Sequence, residues 1–179
     1  MGPGSGPACD FRLNTALTDD ERRRFQDPAV IQRLLATVRT VAIVGASADL
    51  QKASSFVGSY LQHEGYRIIP VNPRGGRLLG ETVYPDLASI PSPIDLVDVF
   101  RPPAEAVTFA RQAIAVGAKA FWMQLRIVNL EAAELAAAAG LDVVMDRCVK
   151  MEHGRFHGTL HWGGMNTEII SARKALPPR

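Results

Sequence analysis

The amino-acid sequence predicts an α/β fold, because short apolar segments with the length of buried strands alternate with segments of helical periodicity. Five strands are expected, at residues 40–44, 66–72, 95–100, 120–124 and 142–146. Helices between successive strands are typical of right-handed β-α-β units and of a parallel sheet. The predicted architecture is a Rossmann-like three-layer sandwich around a five-stranded parallel sheet, with 3-2-1-4-5 as the expected strand order.

The predicted helices are bounded by residues that favour helix ends. Thr18 and Glu21 have the spacing of a capping box, and Asp27 followed by Pro28 favours the start of another helix. Glycines close two of the later helices, as is common after a helix C-terminus. Beyond the capping box, helices are expected at residues 30–38, 52–65, 102–116 and 129–139.

Pro70 is unusual within the second predicted strand. Proline cannot donate a hydrogen bond to a neighbouring strand, so it is rare in central strands and is tolerated at edges and strand ends. We expect Pro70 to lie near the end of its strand.

Length, charge and cysteine content limit the classes of protein that this chain can belong to. The 179 residues are enough for one domain. Cys9 and Cys148 are far apart and form no disulfide framework, which favours a reducing compartment and a cytoplasmic location. No apolar run reaches the ~20 residues of a membrane span. A formal net charge of +2 gives no reason to expect a nucleic-acid partner.

The expected domain organisation has three parts. Residues 1–17 are rich in Gly and Pro and are interpreted as a disordered tail or a cloning remnant. Residues 18–150 form the α/β domain with its leading helix. Residues 151–179 form a C-terminal arm that packs on the domain or on a partner subunit, so a homodimer is possible.

The turn at Gly45 is the strongest functional signal. It follows a buried strand and precedes a helix, which is where doubly wound domains place a phosphate group between backbone N–H groups and a helix N-terminus. A dinucleotide fingerprint starting at Gly45 would need glycine at Ser47 and Leu50, and both positions differ. Asn72 stands where an NAD site usually has an acidic residue, and no Walker-type motif is found. The turn therefore favours a phosphate-bearing ligand other than NAD.

Cations follow several of the predicted strands. Lys52, Arg74 and Arg101 are expected at the edge formed by the carboxyl ends of the strands, near the strand-order reversal predicted between strands 1 and 4. Arginine binds phosphate through two N–H groups, and lysine acts as a point charge. Such a rim suits a ligand with anionic phosphates and a polar adenine edge.

Several segments together resemble the small single-domain coenzyme A-binding proteins, which are similar to the coenzyme A-binding domain of the succinyl-CoA synthetase α subunit. The resemblance extends over residues 41–153, and the segments that carry it are 41–47, 65–75, 79–87, 94–101, 117–120 and 144–148. It implies a Rossmann-like fold and coenzyme A or an acyl-CoA as the ligand. The candidate ligand-binding residues are Gly45, Ala46, Ser47, Lys52, Ser55, Asn72, Pro73, Arg74, Val99, Phe100, Arg101 and Gln124.

The resemblance also implies a role for each part of this set. Lys52 and Ser55 would meet phosphate, residues 72–74 would border the nucleotide, residues 99–101 would line the path of the ligand, and Gln124 would stand near the pantetheine. Arg126 departs from the family pattern, which commonly has glycine after the fourth strand. The phosphorylatable histidine and further domains of the synthetases have no counterpart here, so ligase activity is not supported.

We therefore expect a protein that binds coenzyme A without catalysing a reaction. Two alternatives remain: an NAD(P)-binding oxidoreductase or sensor that uses the same turn, and an acyl-CoA-dependent enzyme that uses Cys148 or a histidine. Alternation of apolar residues predicts an extended segment at residues 153–162, in which His157 and His161 would lie ~13 Å apart. That separation is too large for one ion, so no metal site is expected.

Overall fold

A computed structural model describes residues 17–157 of the chain. Seven strands are found in this range: β1 Thr40–Val44, β2 Arg67–Val71, β3 Arg77–Leu78, β4 Glu81–Thr82, β5 Leu96–Val99, β6 Ala120–Met123 and β7 Asp142–Val144. The α-helices of the same range are α1 Asp19–Phe25, α2 Pro28–Thr37, α3 Ala53–His63, α4 Ala106–Ala115, α5 Leu130–Ala138 and α6 Val149–Phe156. A short 3-10 helix, Pro103–Glu105, precedes α4.

The expected α/β sandwich is confirmed. Five parallel strands form the sheet, in the order β2-β1-β5-β6-β7. The apolar residues of α4 and α5 pack on one face of this sheet, and those of α2, α3 and α6 pack on the other. Both faces are covered, which explains why the strands have nearly continuous apolar sequences.

The predicted strand order, 3-2-1-4-5, is wrong. The third long strand, β5, pairs with β1 and β6 and lies in the centre of the sheet. The outer edge of β2 is instead contacted by Tyr84, whose backbone N–H donates to the carbonyl of Pro70 and whose carbonyl accepts from Asn72. β2 is therefore close to an edge of the sheet, which is the position that Pro70 favours.

The capping box predicted at the start of α1 is confirmed. The backbone N–H of Glu21 donates to the Thr18 hydroxyl at 3.3 Å, and the N–H of Thr18 donates to the Glu21 carboxylate at 2.6 Å. Asn129 caps α5 by accepting a hydrogen bond from the N–H of Ala132 at 2.8 Å. Local sequence thus determines these helix starts, because the caps satisfy N–H groups that the helices leave unpaired.

The segment after β2 contains a small hairpin that sequence patterns did not predict. β3 and β4 form an antiparallel pair, joined by Leu79 and Gly80, which both have positive φ. Two-residue hairpin turns with this backbone match the twist of the strands they connect. The hairpin lies between β2 and Tyr84, so it belongs to the connection that brings the chain back across the sheet to β5.

The extended segment predicted from residue 153 onwards is wrong for its described part. Residues Val149–Phe156 form α6, in which Glu152, His153 and Arg155 are buried. The Tyr60 hydroxyl lies 2.9 Å from Nδ1 of His153, and burial lowers the pKa of this imidazole. Residues 1–16 and 158–179, including His161, lie outside the described range.

Two negative findings concern residues 17–157 alone. None of their helices has the length and apolar character needed to cross a membrane. Nor do they contain a group of three or more His, Cys, Asp or Glu side chains arranged to hold a metal ion.

Candidate functional site

A cleft of about 460 Å³ lies at the carboxyl ends of β1 and β2. In the observed strand order, β2 lies on one side of β1 and β5 lies on the other side of β1. The reversal therefore lies between β1 and β5, not between the first and fourth strands as predicted, because β5 occupies the position next to β1. Most of the predicted ligand-binding residues line this cleft: Gly45, Ala46, Ser47, Lys52, Asn72, Pro73, Arg74 and Arg101.

Gly45 lines the cleft and lies close to the side chain of Arg101. Its φ is +86°, and a Cβ at this position would lie 2.9 Å from Cδ of Arg101. Glycine is therefore favoured twice, by its left-handed backbone and by the close approach of the arginine stem. This requirement explains the Gly-led turn without any appeal to a ligand.

The backbone donors of this turn differ from the sequence expectation. The N–H groups of Gly45 and Ala46 both donate to the carbonyl of Val71, at 3.0 and 3.2 Å. They connect the turn to the end of β2 and are not directed at a ligand. Backbone donors for an anion in the cleft are therefore sought later in the chain, at the start of α3.

The start of α3 is the part of the cleft best suited to an anion. Lys52 occupies the N-cap position and makes no side-chain capping hydrogen bond, and the first turn contains no acidic residue. The hydroxyl of Ser55, in the first turn, is buried and has no hydrogen-bond partner among the described residues. Unpaired N–H groups and the helix dipole favour negative charge at such an end.

Asn72 connects two loops of the cleft. Its Nδ2 donates to the carbonyl of Ala46 at 2.8 Å, and its Oδ1 accepts from the N–H of Arg74 at 3.0 Å. Both ends of the amide are thus used within the protein. The residue that replaces the usual acid of an NAD site holds the loop after β1 against the loop after β2.

The three rim cations differ in their pairing. Arg101 donates from Nε and Nη2 to the Glu105 carboxylate, at 3.0 and 2.8 Å. Lys52 and Arg74 are exposed, and the described residues provide no ion-pair partner for either. Positive charge in the cleft is therefore concentrated at Lys52 and Arg74.

Part of the cleft wall was missed by the sequence analysis. Glu105, Thr108, Phe109 and Gln112 come from the start of α4 and its preceding turn, and they follow the i, i+3, i+4, i+7 spacing of one helix face. That spacing was visible in the sequence, but the face it would present depended on the strand order. Asp86 also lines the cleft, and its hydrogen bonds from Ser89 lower the pKa of its carboxyl.

Four of the predicted site residues, Ser55, Val99, Phe100 and Gln124, do not line this cleft. Val99 is fully buried in β5, where its side chain belongs to the core. Phe100 packs, partly buried, against the apolar cluster on the α3 side of the sheet.

Gln124 belongs to a buried polar pair. Its Nε2 donates to Oδ1 of Asp98 at 2.7 Å, while Oδ2 of Asp98 has no partner within the described residues. Burial raises the pKa of Asp98 to about 8, although the hydrogen bond from Gln124 opposes this shift. The carboxyl is therefore largely protonated at neutral pH.

Cys148 lies at the N-cap of α6 and is partly buried. Burial raises the pKa of its thiol, and hydrogen bonds from the backbone of Met151 and Lys150 only partly oppose this effect. A thiol with a raised pKa is a poor nucleophile near neutral pH. Cys148 also does not line the cleft.

A match to a protein-family model shows which family this chain belongs to. Residues 39–154 match the family model described as "CoA binding domain". The chain belongs to this coenzyme A-binding domain family. The match covers the sheet, the cleft and most of α6, and it confirms the resemblance found in the sequence.

Two relatives of this chain differ greatly in how much of their own length the match covers. The chain is 36% identical over 131 residues to the uncharacterized protein YneT of Bacillus subtilis, and the match covers 72% of this chain and 97% of YneT. It is 32% identical over 84 residues to an ADP-forming acetate–CoA ligase of Archaeoglobus fulgidus, covering 46% of this chain and 12% of the ligase. The match thus covers nearly the whole of YneT but only a small part of the ligase.

Solved structures share the fold of this family member. A hypothetical protein from Pyrococcus horikoshii is 36% identical, with a TM-score of 0.69, and the match covers 81% of this chain and 96% of that protein. A structure from Thermus thermophilus is 34% identical with the same TM-score, covering 73% of this chain and 98% of its own. A dinucleotide-forming acetyl-coenzyme A synthetase from Ca. Korarchaeum cryptofilum, 21% identical with a TM-score of 0.55, is similar in fold.

Proposed function

We propose that this protein binds coenzyme A or an acyl-CoA in the cleft at the carboxyl ends of β1 and β2, and that it does so without catalysing a reaction. One observation carries the proposal. The start of α3, which has no side-chain cap, and two exposed cations, Lys52 and Arg74, lie at the same cleft. Membership of the coenzyme A-binding domain family supports the identity of the ligand.

The charge distribution suits the diphosphate of coenzyme A. Lys52 and Arg74 are available for phosphate oxygens, whereas Arg101 is already paired with Glu105. The buried hydroxyl of Ser55 would gain a partner if the ligand or an ordered water reached the first turn of α3. The diphosphate would then lie between α3 and the loop after β2.

Other residues that line the cleft are suited to the less charged parts of the ligand. Pro73, Pro85 and Phe109 are apolar, and Asp86 provides a hydrogen-bond acceptor. An adenine ring has an apolar face and donates from its amino group, so these residues fit the nucleobase better than a phosphate.

Two features count against an NAD(P)-linked oxidoreductase. The side-chain amide of Asn72 is used on both ends within the protein and cannot replace an acid that binds ribose hydroxyls. The N–H groups of Gly45 and Ala46 are also occupied, so the turn does not offer the diphosphate cradle of a dinucleotide site.

An acyl-CoA-dependent enzyme is less well supported than a binding protein. In the described range, no cysteine or histidine lines the cleft. The Glu105 carboxylate is held by Arg101 and the Asp86 carboxyl by Ser89. A nucleophile or base with an adjacent activating group is the usual equipment for acyl transfer.

Calorimetric titration with coenzyme A, ADP and NAD+ side by side tests the proposal. Coenzyme A should bind most tightly. Lys52→Ala and Arg74→Ala should each weaken its binding by about 1 to 3 kcal/mol, because each removes a charge-assisted hydrogen bond to phosphate. ADP, which lacks the pantetheine and the 3′-phosphate, should respond to the two changes to a different extent.

Arg67→Ala is the matched control for charge. Arg67 is exposed at the start of β2, at the opposite end of the sheet from the cleft. All three variants should keep the melting temperature of the wild type, since exposed cations contribute little to folding. NAD+ binding as tightly as coenzyme A, or unchanged affinity in both cleft variants, would contradict the proposal.

We further propose a cytoplasmic location, where coenzyme A is available and where free thiols such as Cys148 persist. Fractionation of cells that produce the full chain tests this. Recovery with a membrane or secreted fraction would contradict it.

A further inference from the structure

A second cavity, of about 410 Å³, adjoins the cleft and shares part of its wall. The shared wall is formed by Ala46, Ser47, Lys52, Asn72 and Arg74. The far side of the second cavity is formed by the β3–β4 hairpin, which contributes Arg77, Leu78 and the following Val83. Three cations, Lys52, Arg74 and Arg77, thus surround this cavity, and Asp49 is its only acidic lining residue within the described range.

The hairpin is held in place by α3. Leu79, at the tip, has a φ of 56°, which is uncommon for a residue with a side chain. Its Cδ1 lies only 3.0 Å from the position of a Cβ added to Gly58, and its carbonyl accepts a hydrogen bond from Nε2 of Gln62 at 2.9 Å. These contacts from α3 fix a turn that an isolated hairpin of two short strands would not maintain.

Arg77 is oriented by the same hairpin. Its Nη2 donates to the carbonyl of Gly80 at 2.6 Å. A guanidinium has five N–H donors, so the remaining ones stay available to an acceptor in the cavity. No acidic side chain of the described residues pairs with Arg77.

We infer that the second cavity binds a separate phosphate monoester of the ligand, and that Arg77 is the residue that selects for it. This inference rests on the proposed function: with the diphosphate between Lys52 and Arg74, the adjoining cavity would receive the 3′-phosphate of the ribose. That group distinguishes coenzyme A from dephospho-coenzyme A. The β3–β4 hairpin, which lies outside the five-stranded sheet, thereby carries the residue that determines ligand specificity.

Titration of the full chain with coenzyme A and with dephospho-coenzyme A tests the inference. The wild type should bind coenzyme A about tenfold more tightly, on the scale of one charge-assisted contact. Arg77→Gln should remove most of this preference by weakening coenzyme A alone. Arg77→Lys should restore part of it, because the charge remains while the guanidinium geometry is lost.

Arg67→Gln serves as the control, since it makes the same change of charge at an exposed position away from both cavities. It should preserve the preference for coenzyme A. Equal binding of the two compounds to the wild type, or an Arg77→Gln variant that weakens both alike, would overturn the inference and leave the proposed function standing. A wild type that binds neither compound would overturn both.

Discussion

At the scale of single residues, the pair of Asp98 and Gln124 shows how a buried polar group can be mistaken for part of a site. Gln124 follows β6 at the carboxyl edge of the sheet, where ligand contacts are expected. Its side chain instead donates to Asp98, which is fully buried between neighbouring strands. A buried carboxyl needs a partner, because an unpaired one costs more than the hydrogen bond it could make.

The raised pKa of Asp98 has a consequence for stability. Its pKa in the folded protein is about 8, against 3.8 for an ordinary aspartate. Between these values the folded state holds a proton that the unfolded state has lost, so stability falls as the pH rises from about 4 to about 8.

We expect Asp98→Asn to abolish this part of the pH dependence, since the amide is neutral throughout. Relative to the variant, the wild type should lose at least about 1 kcal/mol of stability between pH 4 and pH 8. Urea unfolding of both proteins at several pH values measures the difference. A constant difference across this range would mean that Asp98 does not change protonation with folding.

At the scale of elements, α6 completes the face of the sheet formed by α2 and α3. The Glu152 carboxylate forms an ion pair with Arg155, at 2.8 Å, and lies 3.5 Å from Nη1 of Arg147. Arg147 in turn donates to the side chain of Gln26 at 3.0 Å. These contacts join α6 to the end of α1 across the fold, so α6 is an integral part of the packed domain.

Truncation after Lys150 should therefore destabilise the protein, by more than about 3 kcal/mol, because it removes most of α6 and leaves Arg147 without its buried partner. A chain that ends at His157 keeps the helix and is the matched control. Thermal unfolding measures the effect. Equal melting temperatures for the two truncated chains would contradict the structural role of α6.

The chain that ends at His157 also tests the proposed homodimer. If residues 158–179 pack on a second copy, the full chain should elute as a dimer and the shortened chain as a monomer in size-exclusion chromatography.

At the scale of the whole molecule, a ligand that binds only the folded state must stabilise it. Coenzyme A at about 100 times its Kd should add about 2.7 kcal/mol to the free energy of unfolding. The melting temperature should therefore rise with coenzyme A and stay nearly unchanged with NAD+ at the same concentration. A melting curve unaffected by coenzyme A would argue against binding to the folded chain.

The predicted layers and helices agree with the structure because they follow from local patterns. The apolar period identifies the strands, and caps such as Thr18 and Asn129 fix helix starts through contacts with their nearest neighbours. The order of the strands is not a local property. Pro70 was expected only near the end of its strand, and the third strand was placed outside β2, at the edge that Tyr84 contacts in the structure.

The sequence by itself determined the α/β class, the positions of the strands and the rim that carries Gly45, Lys52 and Arg74, since each depends on residues close together in the chain. Only the tertiary structure decided which of these groups are available. Val71 accepts from the N–H groups of the Gly45 turn, and Asp98 accepts from Gln124. Hydrogen bonds and ion pairs between distant segments depend on how the strands are arranged, which is why the sequence located the site but not the use of each side chain within it.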